Sequence, residues 1–194
     1  MITTERLQLV PATEELLRAA LDGPAALATA LRATVPASWP PEYLDAAAYE
    51  FTRARLAEGP EQHGWWMYFV VLPRGPGGRT LIGSGGYKGP PAEDGTVEVG
   101  YGIVADQRRQ GYACEVTEGL VGRAFALPSV RRVIAETLPE LAPSIGVLRK
   151  CGFSLTDGGS EPGVIRFELG RAEHAARHGA ERAAGHGAGP APVR

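Results

Sequence analysis

The sequence predicts a single α+β domain over residues 1–170, with a mixed, mostly antiparallel central sheet of about seven strands flanked by helices. Three observations point there. Apolar runs at 65–72, 80–88 and 96–104 follow one another with only the Gly/Pro-rich turns PRGPGG and GPPAEDG between them, which favours an antiparallel meander. Helical patterns stand before and after this meander instead of alternating strictly with its strands. The stretch TVEVGYGIVADQRRQGYACEVTEGLVGRAFA, residues 96–126, reads as a strand, a glycine-containing loop and a long amphipathic helix.

In chain order, Leu7 and Leu9 mark a short alternating strand that Pro11 closes. Thr13 suits an N-cap, Glu14 and Glu15 fill a first turn, and Asp22-Gly23 stops that helix. A second helical piece covers 25–32. The prolines of VPASWPP, residues 35–41, forbid a helix interior and predict an extended loop. Leu44, Ala47, Phe51 and Ala54 then mark one face of a third helix, which ends near Glu58-Gly59-Pro60.

After the meander, the helix following Gly111 turns Val116, Leu120, Val121 and Phe125 to the core. Residues 130–138 read as a buried strand and 144–151 as a short helix. Residues 153–155 and 164–169 are two last strands around the turn Asp157-Gly158-Gly159. Beyond residue 170 the chain is rich in Ala, Gly and Arg and nearly free of large apolar side chains. Burial there cannot offset the entropy of ordering, so 171–194 is expected to be a mobile tail. His174 and His178 stand four apart, as two ligands on one helix face would, but nothing nearby offers a third; no metal is expected.

A chain with 44% hydrophobic and 22% charged residues has the composition of an ordinary soluble globular protein. The formal net charge of −2 argues against a surface built for general nucleic-acid binding. Two cysteines, Cys114 and Cys151, are too few for a disulfide scaffold and fit a reducing compartment. The start, MITTERLQL, lacks an apolar signal core, and the longest apolar run, 65–72, falls far short of the roughly 20 residues of a membrane helix. A cytoplasmic protein with no membrane or nucleic-acid partner is expected.

The strand, loop and helix of 96–126 carry the chemistry. A glycine loop opening a helix presents unpaired backbone N–H groups, backed by the positive end of the helix dipole, and so suits a pyrophosphate. Two familiar cradles are excluded. The nearest match to a dinucleotide fingerprint, Gly83-Ser84-Gly85-Gly86, lies inside a strand pattern with no helix after it, and the chain has no Gly-Lys-Ser/Thr. What stands instead is Arg108-Arg109-Gln110-Gly111-Tyr112-Ala113, which fits R/Q-x-x-G-x-G/A.

Here the chain resembles the GCN5-related N-acetyltransferases (GNAT). TERLQLVPATEELL, residues 4–17, is similar to the opening strand and helix of the branch containing the ribosomal-protein alanine acetyltransferases. VEVGYGIV, 97–104, resembles the family's fourth strand, and LPELAPSIGVLRKCGF, 138–153, its E-N-x-x-S segment followed by a helix and G-F. The resemblance implies a GNAT-like fold and an acetyl-CoA-binding N-acetyltransferase domain over 1–170. It also implies acetyl-CoA as co-substrate, a small-molecule amine or protein N-terminus as acceptor, and dimers through sheet edges. Coenzyme contacts then fall on Ile103, Val104, Arg108, Arg109, Gln110, Gly111, Tyr112, Ala113 and Ser144. Two positions depart from the family pattern: its Asn falls on Leu141 and its general-acid Tyr on Leu148. Ser144 is retained and is the candidate to bond the coenzyme sulfur.

Amide formation requires that the acceptor ammonium lose a proton and that a donor meet the oxyanion, and a backbone N–H at the end of the fourth strand suits the second task. Glu98 is the leading base; by alternation it shares a face with Gly100 and Gly102, whose missing side chains leave room for a ligand. A strand carboxylate paired to a nearby Arg, and a base acting through water, fit equally. Arg108 and Arg109 can flank the phosphates, or one of them stays solvated. Cys114, in the first helical turn, has no His in its motif and reads as core, as does Cys151. Trp39, Trp65 and Tyr68, with Trp66 and His63, are candidates for the acceptor side, at least half of the aromatic ones being core. A non-catalytic acyl-CoA-binding or sensing domain is the alternative function, and a cofactor-free peptide-binding module the third.

Overall fold

A computed structural model describes residues 1–75 and 77–186. It is an α+β domain with one sheet of eight strands among the described residues, in the order β1-β2-β3-β4-β5-β6-β8-β7. The strands are β1 Ile2–Thr3, β2 Gln8–Pro11, β3 Met67–Gly75, β4 Gly78–Tyr87, β5 Thr96–Ile103, β6 Arg132–Thr137, β7 Ser154–Thr156 and β8 Ile165–Gly170. The strand missing from the sequence reading is β1, only two residues long, which pairs with Leu9 and Gln8. The meander forms as expected, β3, β4 and β5 pairing antiparallel.

Helices α1 Glu14–Asp22, α2 Pro24–Leu31 and α3 Ala46–Leu56 cover one face of the first half of the sheet. The Thr13 hydroxyl accepts from the Leu16 N–H at 3.2 Å, and Gly23, at φ 114°, separates α1 from α2. The other face carries α4 Tyr112–Phe125 and α5 Ala142–Lys150 over Val97, Val99, Val133 and Ala135. Gly85 lets α4 lie close against the sheet, because a side chain there would begin 2.9 Å from Val116 Cγ1.

Helix α3 buries Tyr49 and Thr52, while Ala47, Phe51 and Ala54 are exposed. The reason is that Tyr49 packs with Leu17 and Leu27 and the Thr52 hydroxyl is satisfied on the Ala48 carbonyl at 2.8 Å, so residues of polar type supply the inward face. Phe51 stays outside, edge-on to Trp66 with ring centres 5.5 Å apart.

Part of the segment read as a tail forms a helix, α6 Arg171–His186. Its entry is held by Arg171, which donates to the carbonyls of Phe125 at 2.8 Å and Val130 at 2.9 Å and to that of Leu127, capping the end of α4. The His174 ring lies 4.9 Å from that of Phe125. The His178 side chain and residues 187–194 lie outside the described residues.

Candidate active site

The site begins where the sheet divides. β5 and β6 run parallel but pair at only three positions, Thr96 with Arg132, Val97 with Val133 and Glu98 with Ile134. Both strands continue: β5 stays paired to β4 through Ile103, and β6 to β8 through Thr137. The two halves of the sheet therefore part beyond Glu98. The Val104 N–H donates to the Ile82 carbonyl and the Lys88 N–H to the Glu98 carbonyl, both at 3.0 Å. Even-numbered residues of β5 thus direct their backbone groups to β4, and Val99, Tyr101 and Ile103 direct theirs into the gap. Apart from the Ile103 carbonyl, which accepts from Arg108 Nε, those are the donors and acceptors an extended ligand could pair with as a substitute strand.

Gly111 lies at the end of this gap as the N-cap of α4, at φ 83° and ψ −1°. That left-handed backbone favours glycine, which has no Cβ to clash there. Arg109 also has positive φ, 62°, so the loop turns sharply twice within three residues. The first N–H groups of α4 have no acceptor within the helix and face out of this turn.

A side chain that sequence reasoning missed holds the loop from outside. Arg6, just before β2, donates from Nε to Glu115 Oε2 at 2.7 Å and from Nη1 to the Gln110 carbonyl at 3.0 Å. Its guanidinium lies 4.7 Å from the centre of the Tyr112 ring, and Nη2 is 3.3 Å from where a Gly111 side chain would begin. Glu115 also accepts from the Thr4 hydroxyl at 2.5 Å and the Arg6 N–H at 2.7 Å. Burial alone would raise its pKa, but these bonds outweigh it and hold the carboxyl below its ordinary value. An open groove of about 330 Å³ runs beside the loop, lined by Arg6, Gly111, Cys114, Glu118 and Lys150. The sequence signal for Arg6 was the TERL segment, read only as a strand opening.

The other expected coenzyme residues divide. Arg109 is exposed, as is Gln110, whose amide donates to Gln107 Oε1 at 3.2 Å; Tyr112 is buried and Ala113 half-buried. Val104 is fully buried with its N–H already bonded, so Ile103 is the better contact of the two. Arg108 is engaged elsewhere: its Nε donates to the Ile103 carbonyl at 3.0 Å, and its Nη2 lies 3.2 Å from Glu42 Oε2.

Across the gap, the carbonyl of half-buried Ser144 accepts from the Tyr101 hydroxyl at 3.3 Å. Burial, opposed by that bond, pushes the Tyr101 pKa up to about 12, so the phenol keeps its proton at any ordinary pH. Leu148, by contrast, is 1% exposed inside the core, and Leu141 caps α5 without a side-chain bond.

On the opposite face of β5, Glu98 is in line with Gly100 and Gly102. Nothing lies within 4 Å of a side chain placed at Gly100, but at Gly102 the space is filled by Pro41, whose Cβ is 3.2 Å away. Room for a ligand is therefore at Gly100 alone. The Glu98 side chain is 19% exposed and its ion-pair partner is Lys88, not an Arg. A second carboxylate shares this face, Glu136, two residues beyond the partner of Glu98. It is saturated by the Ser160 N–H at 3.0 Å, the Ser160 hydroxyl at 2.5 Å and Arg166 Nε at 2.9 Å. Burial raises its pKa, but these bonds prevail and lower it, which suits a structural anion rather than a base.

Two acceptor-side candidates lie elsewhere. Trp65 is 7% exposed against Tyr87, under the Arg123 guanidinium, and Tyr68 is 2% exposed with its hydroxyl on the Gly64 carbonyl. Both are core residues on the α4 face, drawn in by their large apolar area. Trp39 is half-buried over Phe69, Trp66 is half-buried and bonds Gln62 through Nε1, and His63 is exposed. Cys151 is buried, with its thiol pKa pushed up by that burial, and Cys114 is half-buried in the groove wall. Among the described residues no His/Cys/Asp/Glu cluster could hold a metal, and no helix is long and apolar enough to cross a membrane.

The sheet thus splits beyond Glu98, with the glycine-capped start of α4 beyond the end of β5. The family model of the acetyltransferase (GNAT) domain matches residues 6–154, and the chain belongs to that family. The uncharacterized N-acetyltransferase YjdG of Bacillus subtilis (strain 168) is 31% identical over 81 residues, 42% of this chain. The matched region spans about half, 48%, of that relative's length. Among solved structures, a GNAT-family acetyltransferase from Bacillus anthracis superposes with TM-score 0.59 at 16% identity, covering 88% of this chain and 98% of its own. RimL, a ribosomal alpha-N-protein acetyltransferase in complex with coenzyme A, gives 0.59 at 14% identity over 86% and 95%. The microcin self-immunity acetyltransferase MccE, in complex with acetyl-CoA and AMP, gives 0.55 at 13% over 86% and 93%. At such identities the structural likeness concerns the fold.

Proposed function

We propose that residues 1–170 form an acetyl-CoA-dependent N-acetyltransferase domain that moves an acetyl group to a primary amine by direct attack on the thioester. The observation that carries this is the three-position seam between β5 and β6, opening toward the Gly111 loop. The coenzymes in the RimL and MccE structures support the choice of ligand. RimL's named substrate supports an α-amine on a protein as the first acceptor to try.

Each residue then has a task. The N–H groups of Gly111, Tyr112 and Ala113 receive the pyrophosphate, with Arg6 beside them. Backbone N–H groups of Val99, Tyr101 or Ile103 meet the oxyanion. The acceptor approaches over Gly100, and its ammonium displaces Lys88, whose side chain is 63% exposed. Glu98 takes the amine proton, directly or through water. As the C–N bond forms and the C–S bond breaks, the nitrogen sheds its second proton to water, the departing sulfur receives a proton from Tyr101, with Ser144 beside it, and water returns a proton to the phenolate.

The test is calorimetric titration with acetyl-CoA, CoA and a nicotinamide dinucleotide, followed by a thiol-release screen of serine- and alanine-terminated peptides, amino acids and spermidine. Selective CoA binding with release dependent on an amine is expected. Gly111→Glu should abolish coenzyme binding and leave the thermal transition in place; unchanged affinity would sink the site. Binding without turnover by any amine would favour the non-catalytic reading, which the buried Leu148 keeps open.

A further inference from the structure

The segment between Gly111 and the end of β5 grips a second loop. Ser38 Oγ donates to Asp106 Oδ1 at 2.5 Å, and Arg108 bridges the Ile103 carbonyl and Glu42. Pro41 is buried and fills the space over Gly102. Its neighbour Tyr43 is 83% exposed at φ 65°, so the chain turns abruptly outward once it has crossed the strand. Residues 35–42 thus form a strap across the end of β5, on the same face as Glu98 and next to the open position at Gly100.

We infer that Arg108 is a positioning residue for the amine acceptor and not a phosphate ligand. One of its guanidinium nitrogens holds the Ile103 carbonyl at the end of β5 and another the Glu42 carboxylate of the strap, so the side chain bridges the two. With Glu42 it fixes the strap as one wall of the acceptor cleft, while Arg6 stands by the coenzyme loop. The inference rests on the reading given under Proposed function. It also explains why Gly102 lacks a side chain: Pro41 needs that space for the strap to seat.

Arg108→Ala, Glu42→Gln and the double variant are compared with the wild type by CoA calorimetry, by hydrogen exchange of the strap, and by kinetics with the best acceptor of the thiol-release screen. CoA affinity should stay within about two-fold while strap exchange rises about ten-fold. Acceptor KM should rise about five-fold or more with kcat within about two-fold, and the double variant should be no worse than Arg108→Ala. A ten-fold or larger loss of CoA affinity in Arg108→Ala with unchanged strap exchange would return the guanidinium to the phosphate and overturn the inference. So would kcat falling with KM unchanged. A wild-type protein that binds no CoA would remove the reading beneath it, and the inference with it.

Discussion

Arg6 and Glu115, 109 residues apart in sequence, meet with Nε and Oε2 2.7 Å from each other, and the pair stands directly behind the Gly111 turn. Through it the N-terminal segment holds the Gly111 loop: the Arg6 guanidinium donates to the Gln110 carbonyl and lies on the Tyr112 ring. Arg6→Gln should lower CoA affinity about ten-fold and make it less sensitive to salt, since a cation near phosphate is lost. Pantetheine, which has no phosphate, should bind the variant and the wild type alike. Equal CoA affinity in calorimetry would confine Arg6 to a structural role.

The same pair makes stability depend on pH. Glu115 titrates below its ordinary value of 4.5 in the folded protein, so its contribution is complete above that value and is lost as the pH falls through the lowered one. Urea unfolding of Glu115→Gln should therefore show a flatter acid limb than the wild type, with about 1–3 kcal/mol less stability near neutral pH. Parallel acid limbs for the two proteins would contradict this.

Tyr101 reaches from β5 to the Ser144 carbonyl at 3.3 Å and keeps its proton because burial holds its pKa near 12. Tyr101→Phe should reduce kcat about 10- to 100-fold with CoA affinity nearly unchanged, as expected for loss of a proton donor to the leaving thiolate. A wild-type kcat in the variant would leave Tyr101 as packing alone.

Glu98 and Lys88 should respond in opposite directions. Glu98→Gln should slow turnover and alter the pH profile of kcat, while Lys88→Met should lower acceptor KM by removing the cation that competes with the amine. Both follow from steady-state rates across pH; no change in either variant would place the pair among ordinary surface contacts.

Helix α6 is tied to α4 through Arg171 and the Phe125 ring. Arg171→Ala should cost about 1–2 kcal/mol by leaving carbonyls at the end of α4 without a donor, with CoA affinity unchanged. Removing residues 172–194, which keeps Arg171, should cost less in denaturant melts than losing Arg171 itself.

The sequence by itself determined the features encoded within a few residues. The Thr13 cap, the Gly23 break, the meander and the Gly111 turn all depend on local backbone preference, side-chain period or capping. Tertiary structure alone decided which distant groups meet there. It brought Arg6 to Gln110 across 104 residues, Tyr101 to Ser144 across 43, and Arg108 to Glu42 instead of to open solvent. It also turned Phe51 outward and drew Trp65 and Tyr68 into the core. Periodicity states that a residue has an apolar side, but not whether core or cleft receives it. That choice follows from how far β5 and β6 run together before they part, which no local pattern records.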